Sequence, residues 1–154
     1  MAGKFEARIA ELGETIPEAP APAANYVPYV IVGDMVYVSG QISKGPDGLI
    51  TGKLGADMEV DGGQAAAKVC ALNLIAQVRA ACGGDLDRVT QVVKLGGFVN
   101  CTPDFEAHPM VINGASDFIG EVFGDAGAHA RAAVGCSSLP LGVAVEVEGI
   151  FQIS

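Results

Sequence analysis

Arg131 stands in the run Ala130-Arg131-Ala132-Ala133-Val134, with no polar neighbour. A guanidinium remains charged at any ordinary pH and carries five N–H donors, so in such company it must find an anion, a partner carboxylate or water. Further along, Glu146 and Glu148 alternate with Val145 and Val147. Period-two alternation puts the carboxylates on one face of a strand and the valines on the other, and groups His129, Arg131, Ala133 and Gly135 on one face of the preceding strand. An arginine fork can hold a small carboxylate through two parallel hydrogen bonds, and a nearby carboxyl can then move protons on the bound molecule. The same residues also suit plainer roles, an Arg131–Glu146 ion pair across a hairpin or a solvated sheet face. Taken alone, they fit those more simply than catalysis.

Other chemistries lack their signatures. The chain has no G-x-S-x-G, no G-x-x-x-x-G-K-[ST] and no strand-linked G-x-G-x-x-G, which removes the usual serine-hydrolase, P-loop and dinucleotide motifs. Its two histidines, His108 and His129, are too far apart in sequence for a local zinc motif, so no metal is expected. Cys70, Cys82, Cys101 and Cys136 form no C-x-x-C pair and read as reduced thiols. Nine basic against eighteen acidic residues give a net charge of -9, with no basic run, which opposes nucleic-acid binding. The stretch 1–18 lacks the continuous apolar run of a secretory signal, and Pro28, Gly33 and Asp34 interrupt the most apolar region, so a cytoplasmic protein without a membrane span is expected.

The elements that must position these residues follow from periodicity and turn signals. At 154 residues the chain fits one domain, 1–154, of which 1–24 would be a short helix and an extended lead-in. Phe5, Ile9 and Leu12 share a helical face over 5–12, Gly13 ends it, and the Pro-rich stretch 18–24 need not pack deeply. Strands over 26–32 and 35–42 flank Gly33-Asp34, a pair suited to a type II′ hairpin turn. A turn-rich surface loop over 44–61 precedes a helix over 63–82, with Ala65, Val69, Leu72 and Ala76 as its inward face. A strand over 86–99 leads to a second helix bearing Val111, Ala115, Phe118 and Val122, whose first turn Pro109 should break. Strands over 129–135 and 143–153, joined by a turn at Leu139-Pro140-Leu141-Gly142, close an α+β order of β-β-α-β-α-β-β, a mixed sheet with two main helices on one face. Half of the residues are apolar and only 18% are charged, so some apolar surface is expected to lie between subunits of an oligomer.

Several anchors in this order resemble the Rid family of imine and enamine deaminases, also called YjgF/UK114 and L-PSP endoribonuclease. They are Tyr29, Ser39-Gly40-Gln41, Asn113, Ala130-Arg131 followed by Leu139-Pro140, and Val145-Glu146-Val147-Glu148. The resemblance covers nearly the whole chain after about residue 20, and the N-terminal helix marks a divergent branch. It implies a chorismate-mutase-like fold, a homotrimer with pockets between subunits, a small carboxylate-bearing substrate and no cofactor. It also implies that Arg131 grips the substrate carboxylate and Glu146 orients or activates water, with Tyr29, Ser39 and Asn113 as further pocket positions. Two departures stand out. Ala133 replaces the cysteine common two positions after the arginine, leaving only its backbone to contact substrate, and the stretch before Asn113, with His108-Pro109, is about one helical turn longer than usual. A non-catalytic trimer binding small carboxylates is the alternative reading of the same residues.

Overall fold

The computed structural model describes residues 3–22 and 24–154. Met1, Ala2 and Ala23 lie outside it, so the expected lead-in is described except at Ala23. The described elements are α1 (Lys4–Glu11), β1 (Tyr29–Val32), β2 (Met35–Ile42), β3 (Lys44–Gly45), β4 (Gly48–Leu49), α2 (Val60–Ala81), β5 (Val89–Asn100), α3 (His108–Phe123), β6 (Ala130–Cys136) and β7 (Val145–Ile153). The expected order is present, with the small β3–β4 ribbon set into the loop over 44–61.

The main sheet runs β1-β2-β7-β5-β6 and is antiparallel except for the parallel β5–β6 pair, while α2 and α3 pack on one face. The β1–β2 turn is as expected: Gly33 takes φ +62° and Asp34 stays negative, the II′ pattern. The closing hairpin is not present. β6 follows a helical crossover from β5 and pairs with it in parallel, and β7 inserts between β2 and β5. A strand that returns through a helix lies parallel to the one it left, so β6 takes the outer edge of β5 and β7 fills the place between β5 and β2.

Two further expectations change. Pro109 does not break α3; it is the second residue of the helix, where a missing N–H disturbs no intrahelical bond. The inward face of α2 is broader than expected: Leu72 and Ala76 are buried, Val69 partly so and Ala65 exposed, while Ala66, Ala67, Cys70, Ala71, Leu74, Ile75 and Val78 are fully buried as well. This helix is apolar on most sides because the sheet lies beneath it and α3 and the N-terminal segment flank it, so spacing alone did not set its phase. α3 does bury Val111, Ala115, Phe118 and Val122 as expected, and it approaches α2 so closely at Gly114 that a Cβ there would run into the Gln64 backbone.

The N-terminal segment packs more firmly than a loose lead-in. Eight residues make a helix too short to persist in water alone. α1 is held by burial of Phe5 and Ile9, by the tilted packing of Phe5 on Phe123 with ring centroids 4.8 Å apart, and by Asp87, whose carboxylate accepts from the Lys4 and Phe5 N–H groups. The extended residues after it are tied down by a Lys68–Glu14 ion pair of 2.7 Å and by buried Gln77, whose amide donates to the Pro20 carbonyl at 2.6 Å.

Candidate active site

Arg131 lies on the edge strand β6 opposite fully buried Leu95, which directs its side chain to the helix-covered face. There α3 supplies the missing polar company. Pro109, Asn113 and Ser116 follow one another at helical spacing and meet the guanidinium: Nη1 donates to Asn113 Oδ1 at 2.8 Å and to Ser116 Oγ at 3.2 Å, and Nη2 donates to the Pro109 carbonyl at 3.4 Å. Three of the five donors are thus engaged. Nε–H and one Nη2–H have no acceptor among the described residues, and two donors match the two oxygens of a carboxylate. Ser116 Oγ also lies 2.9 Å from His129 Nε2, and His129 Nδ1 lies 2.6 Å from the Gly127 carbonyl. Ala133 shares the face of Arg131, opposite Gly97, and packs partly buried against the core.

Glu146 sits on the other face of the sheet. It stands between fully buried Val145 and Val147 on β7, opposite Ile42 on one side and Phe98 on the other. Burial raises its pKa above the usual carboxylate range, and the neighbouring Glu148 charge pushes the same way. No hydrogen bond or ion pair reaches its carboxyl among the described residues, whose side chain instead lies against Gly40, where a Cβ would collide with Oε1. Gly40 belongs to an irregular stretch of β2 where the register against β7 shifts between Val38 and Gln41. Together these residues border a cleft of 870 Å³ whose walls include Gly40, Gln41, Glu146, Tyr26, Pro28 and much of the stretch 13–22.

The Arg131–Glu146 ion pair is therefore absent: β5 separates their strands and their side chains leave opposite faces. The residues singled out from sequence fall into two groups, Arg131, Asn113 and Ala133 beside α3, and Glu146 with the Ser39–Gln41 stretch beside β2. Ser39 serves the second group from behind: its Oγ donates to the Val27 carbonyl at 2.8 Å and it does not line the cleft. Tyr29 pairs with Val38 and packs on the core face, and Tyr26 and Pro28 line the cleft instead. Ser116 went unnoticed in the sequence, although it lies one helical turn beyond Asn113.

Among the described residues, one group of three acids could hold a cation: Glu6, Asp85 and Asp87, with oxygens within 4.8 Å of one another. Their carboxylates accept backbone N–H groups at Leu86, Asp87, Lys4 and Phe5, which gives them a capping role. A shallower depression of 570 Å³ beside the start of α3 carries Asp104 and Glu106, which disfavours an anionic ligand. No helix is long and apolar enough to cross a membrane among the described residues.

Comparison with known proteins places this arrangement. The chain is 50% identical over 154 residues to Protein TCP17 of Trypanosoma cruzi, covering 99% of this chain and 96% of that one. The protein Atu1372 from Agrobacterium tumefaciens, whose structure was described with unknown function, superposes with a TM-score of 0.91 at 46% identity, covering 98% of this chain and 94% of that one. The structure of E. coli TdcF with bound serine matches with a TM-score of 0.63 at 28% identity, covering 89% and 94% of the two chains. Residues 6–150 match the family described as "YjgF/chorismate_mutase-like, putative endoribonuclease". With its mixed sheet, two helices on one face and this match over most of its length, the chain belongs to the YjgF/chorismate-mutase-like family.

Proposed function

We propose that this chain hydrolyses reactive 2-imino and 2-enamino acids, such as 2-aminoacrylate, to 2-keto acids and ammonia, as a homotrimer whose sites join the Arg131 group of one copy to the Glu146 group of a neighbour. The donor set of Arg131 carries this reading: three donors fixed by α3 and two left for a carboxylate. The serine seen on TdcF carries the same carboxylate, which supports a ligand of this class.

The chemistry needs only water. An enamine tautomerises to the imine, water adds to the C=N carbon and a proton reaches the nitrogen. The C–N bond of the resulting carbinolamine then breaks, ammonia leaves and the carbonyl forms. Arg131 would fix the imine carbon by holding the adjacent carboxylate. Glu146, more readily protonated than an ordinary glutamate, would orient the water and pass a proton to the departing nitrogen, an effect of about 10²- to 10⁴-fold. Ala133 and Asn113 shape the carboxylate side of the site, with Ser39 supporting the Gly40 stretch and Tyr29 seating β1.

Two copies are needed because the two groups lie on opposite faces of one sheet. The uncovered face also exposes Val30, Val32, Tyr37 and Val134 around partly buried Phe98 and Ile150, apolar surface that a neighbour would cover. The endoribonuclease in the family description would require phosphate contacts, which a net charge of -9 opposes. The four free thiols suit the cytoplasm as its compartment.

The test generates 2-aminoacrylate enzymatically and follows keto-acid release. Wild type should accelerate it, Arg131→Ala should lose substrate affinity, and Glu146→Gln should bind keto acid but lose turnover. If wild type binds keto acids without accelerating hydrolysis, the chain is a carboxylate-binding module instead.

A further inference from the structure

We propose that Ser116 and His129 are positioning residues of the Arg131 anion site, forming a directed chain that holds its guanidinium in the plane a carboxylate requires. This rests on the reading of Arg131 as the carboxylate clamp and adds to it two residues outside the anchors of the family resemblance.

The direction of each link follows from chemistry. A backbone carbonyl only accepts, so the 2.6 Å contact between Gly127 O and His129 puts the ring hydrogen on Nδ1. In the neutral ring Nε2 is then the acceptor, and the Ser116 hydroxyl, 2.9 Å away, donates to it. With its hydrogen turned to the ring, Ser116 Oγ offers only lone pairs to its other neighbour, Arg131 Nη1 at 3.2 Å. The chain reads Arg131 to Ser116 to His129 to Gly127, donor to acceptor throughout. Asn113 Oδ1 takes the second Nη1 hydrogen at 2.8 Å.

Such a device is needed where this arginine sits. The side chain leaves an edge strand where Ala133, the next β6 residue on its face, is too small to wall it in. Acceptors alone can set its plane. A hydroxyl not held by His129 could rotate its hydrogen toward the guanidinium and cease to accept from it, leaving Nη1 half satisfied and the fork free to turn. His129 lies just before the first residue of β6, and the short 3₁₀ turn Gly124–Gly127 that ends α3 presents the Gly127 carbonyl to it. The link therefore spans the α3–β6 connection and ties the helix bearing Asn113 and Ser116 to the strand bearing Arg131.

The experiment titrates 2-oxobutanoate, a small keto acid, into wild type and variants by calorimetry, so that no turnover is needed. Ser116→Ala and His129→Phe should each weaken binding about tenfold, the order expected for a hydrogen bond to a charged group. The double variant should be no weaker than Ser116→Ala, because His129 acts through Ser116. His129→Gln, whose amide oxygen can accept from Ser116, should recover affinity to within about threefold of wild type. Affinity unchanged in Ser116→Ala and His129→Phe while Arg131→Ala abolishes binding would overturn the positioning role alone, as would losses that add in the double variant. Failure of wild type to bind, or wild-type affinity in Arg131→Ala, would remove the carboxylate clamp and this role with it.

Discussion

Glu146 shows how one side chain's surroundings set its chemistry. Two flanking valines point into the core, leaving its carboxyl on the open face with only partial hydration and Glu148 as its charged neighbour, and both raise its pKa. The sign of the consequence for stability is fixed. A carboxyl with a raised folded pKa stabilises the fold when protonated; that contribution is fully present below the ordinary glutamate value and is lost as pH rises through the raised one. Glu146→Gln should therefore raise the melting temperature at pH 7–8 by about 1–2 °C, and the gap to wild type should close as the pH falls toward about 4, as thermal melts across that range would register. Gly40 offers a second test at this scale. A Cβ there collides with Glu146 Oε1, the movable end of a side chain, so Gly40→Ala should lower turnover about tenfold while costing less than about 1 kcal/mol of stability, readable from paired kinetics and denaturant melts. The alternating pattern of residues 143–153 made Glu146 and Glu148 legible as carboxyls on one face of a valine-rich strand. The missing partner of Glu146 was not legible, because alternation assigns a face within a strand and says nothing about which strands lie side by side.

Helix α3 is the element that makes the Arg131 group. It starts at His108-Pro109, the extra turn that looked like an interruption, and this start presents the Pro109 carbonyl beneath the guanidinium, with Asn113 and Ser116 following at helical spacing. Its position depends on Gly114, which allows the α2 backbone at Gln64 to come close. Backbone cannot yield as a side-chain tip can. Gly114→Ala should therefore cost about 2–3 kcal/mol in urea unfolding and, by pushing α3 aside, weaken keto-acid binding as well. Gly114→Ala with unchanged stability would mean that the two helices do not meet there. Number, type and approximate limits of the helices and main strands were readable from apolar spacing and from Gly and Pro positions. The phase of α2 was not, because a helix buried on most sides has no polar stripe to mark it. The neighbours of β6 were misread for a related reason: adjacent strands in sequence usually pair, but the α3 crossover commits β6 to β5 and leaves the central place to β7.

At the scale of the whole molecule, the sheet's open face and the separation of the two residue groups both motivate the proposed assembly. Tyr37→Lys combined with Val134→Lys places charge on that face and should convert the proposed trimer to monomer in light-scattering chromatography, with turnover lost although neither residue belongs to either group. Monomeric wild type at micromolar concentration would contradict the assembly. The apolar, weakly charged composition raises the expectation of surface shared between copies, but composition cannot say which face of the fold is open and apolar.

The most direct measurement of the central claim mixes two inactive variants. Arg131→Ala retains Glu146 and Glu146→Gln retains Arg131, so after unfolding and co-refolding in equal amounts, sites that pair the intact halves of different copies should form. Random assembly should restore keto-acid release from 2-aminoacrylate to about a quarter of the wild-type rate, although neither variant alone shows any. No recovery in the mixture, with wild type active under the same conditions, would contradict a site built from Arg131 of one copy and Glu146 of its neighbour.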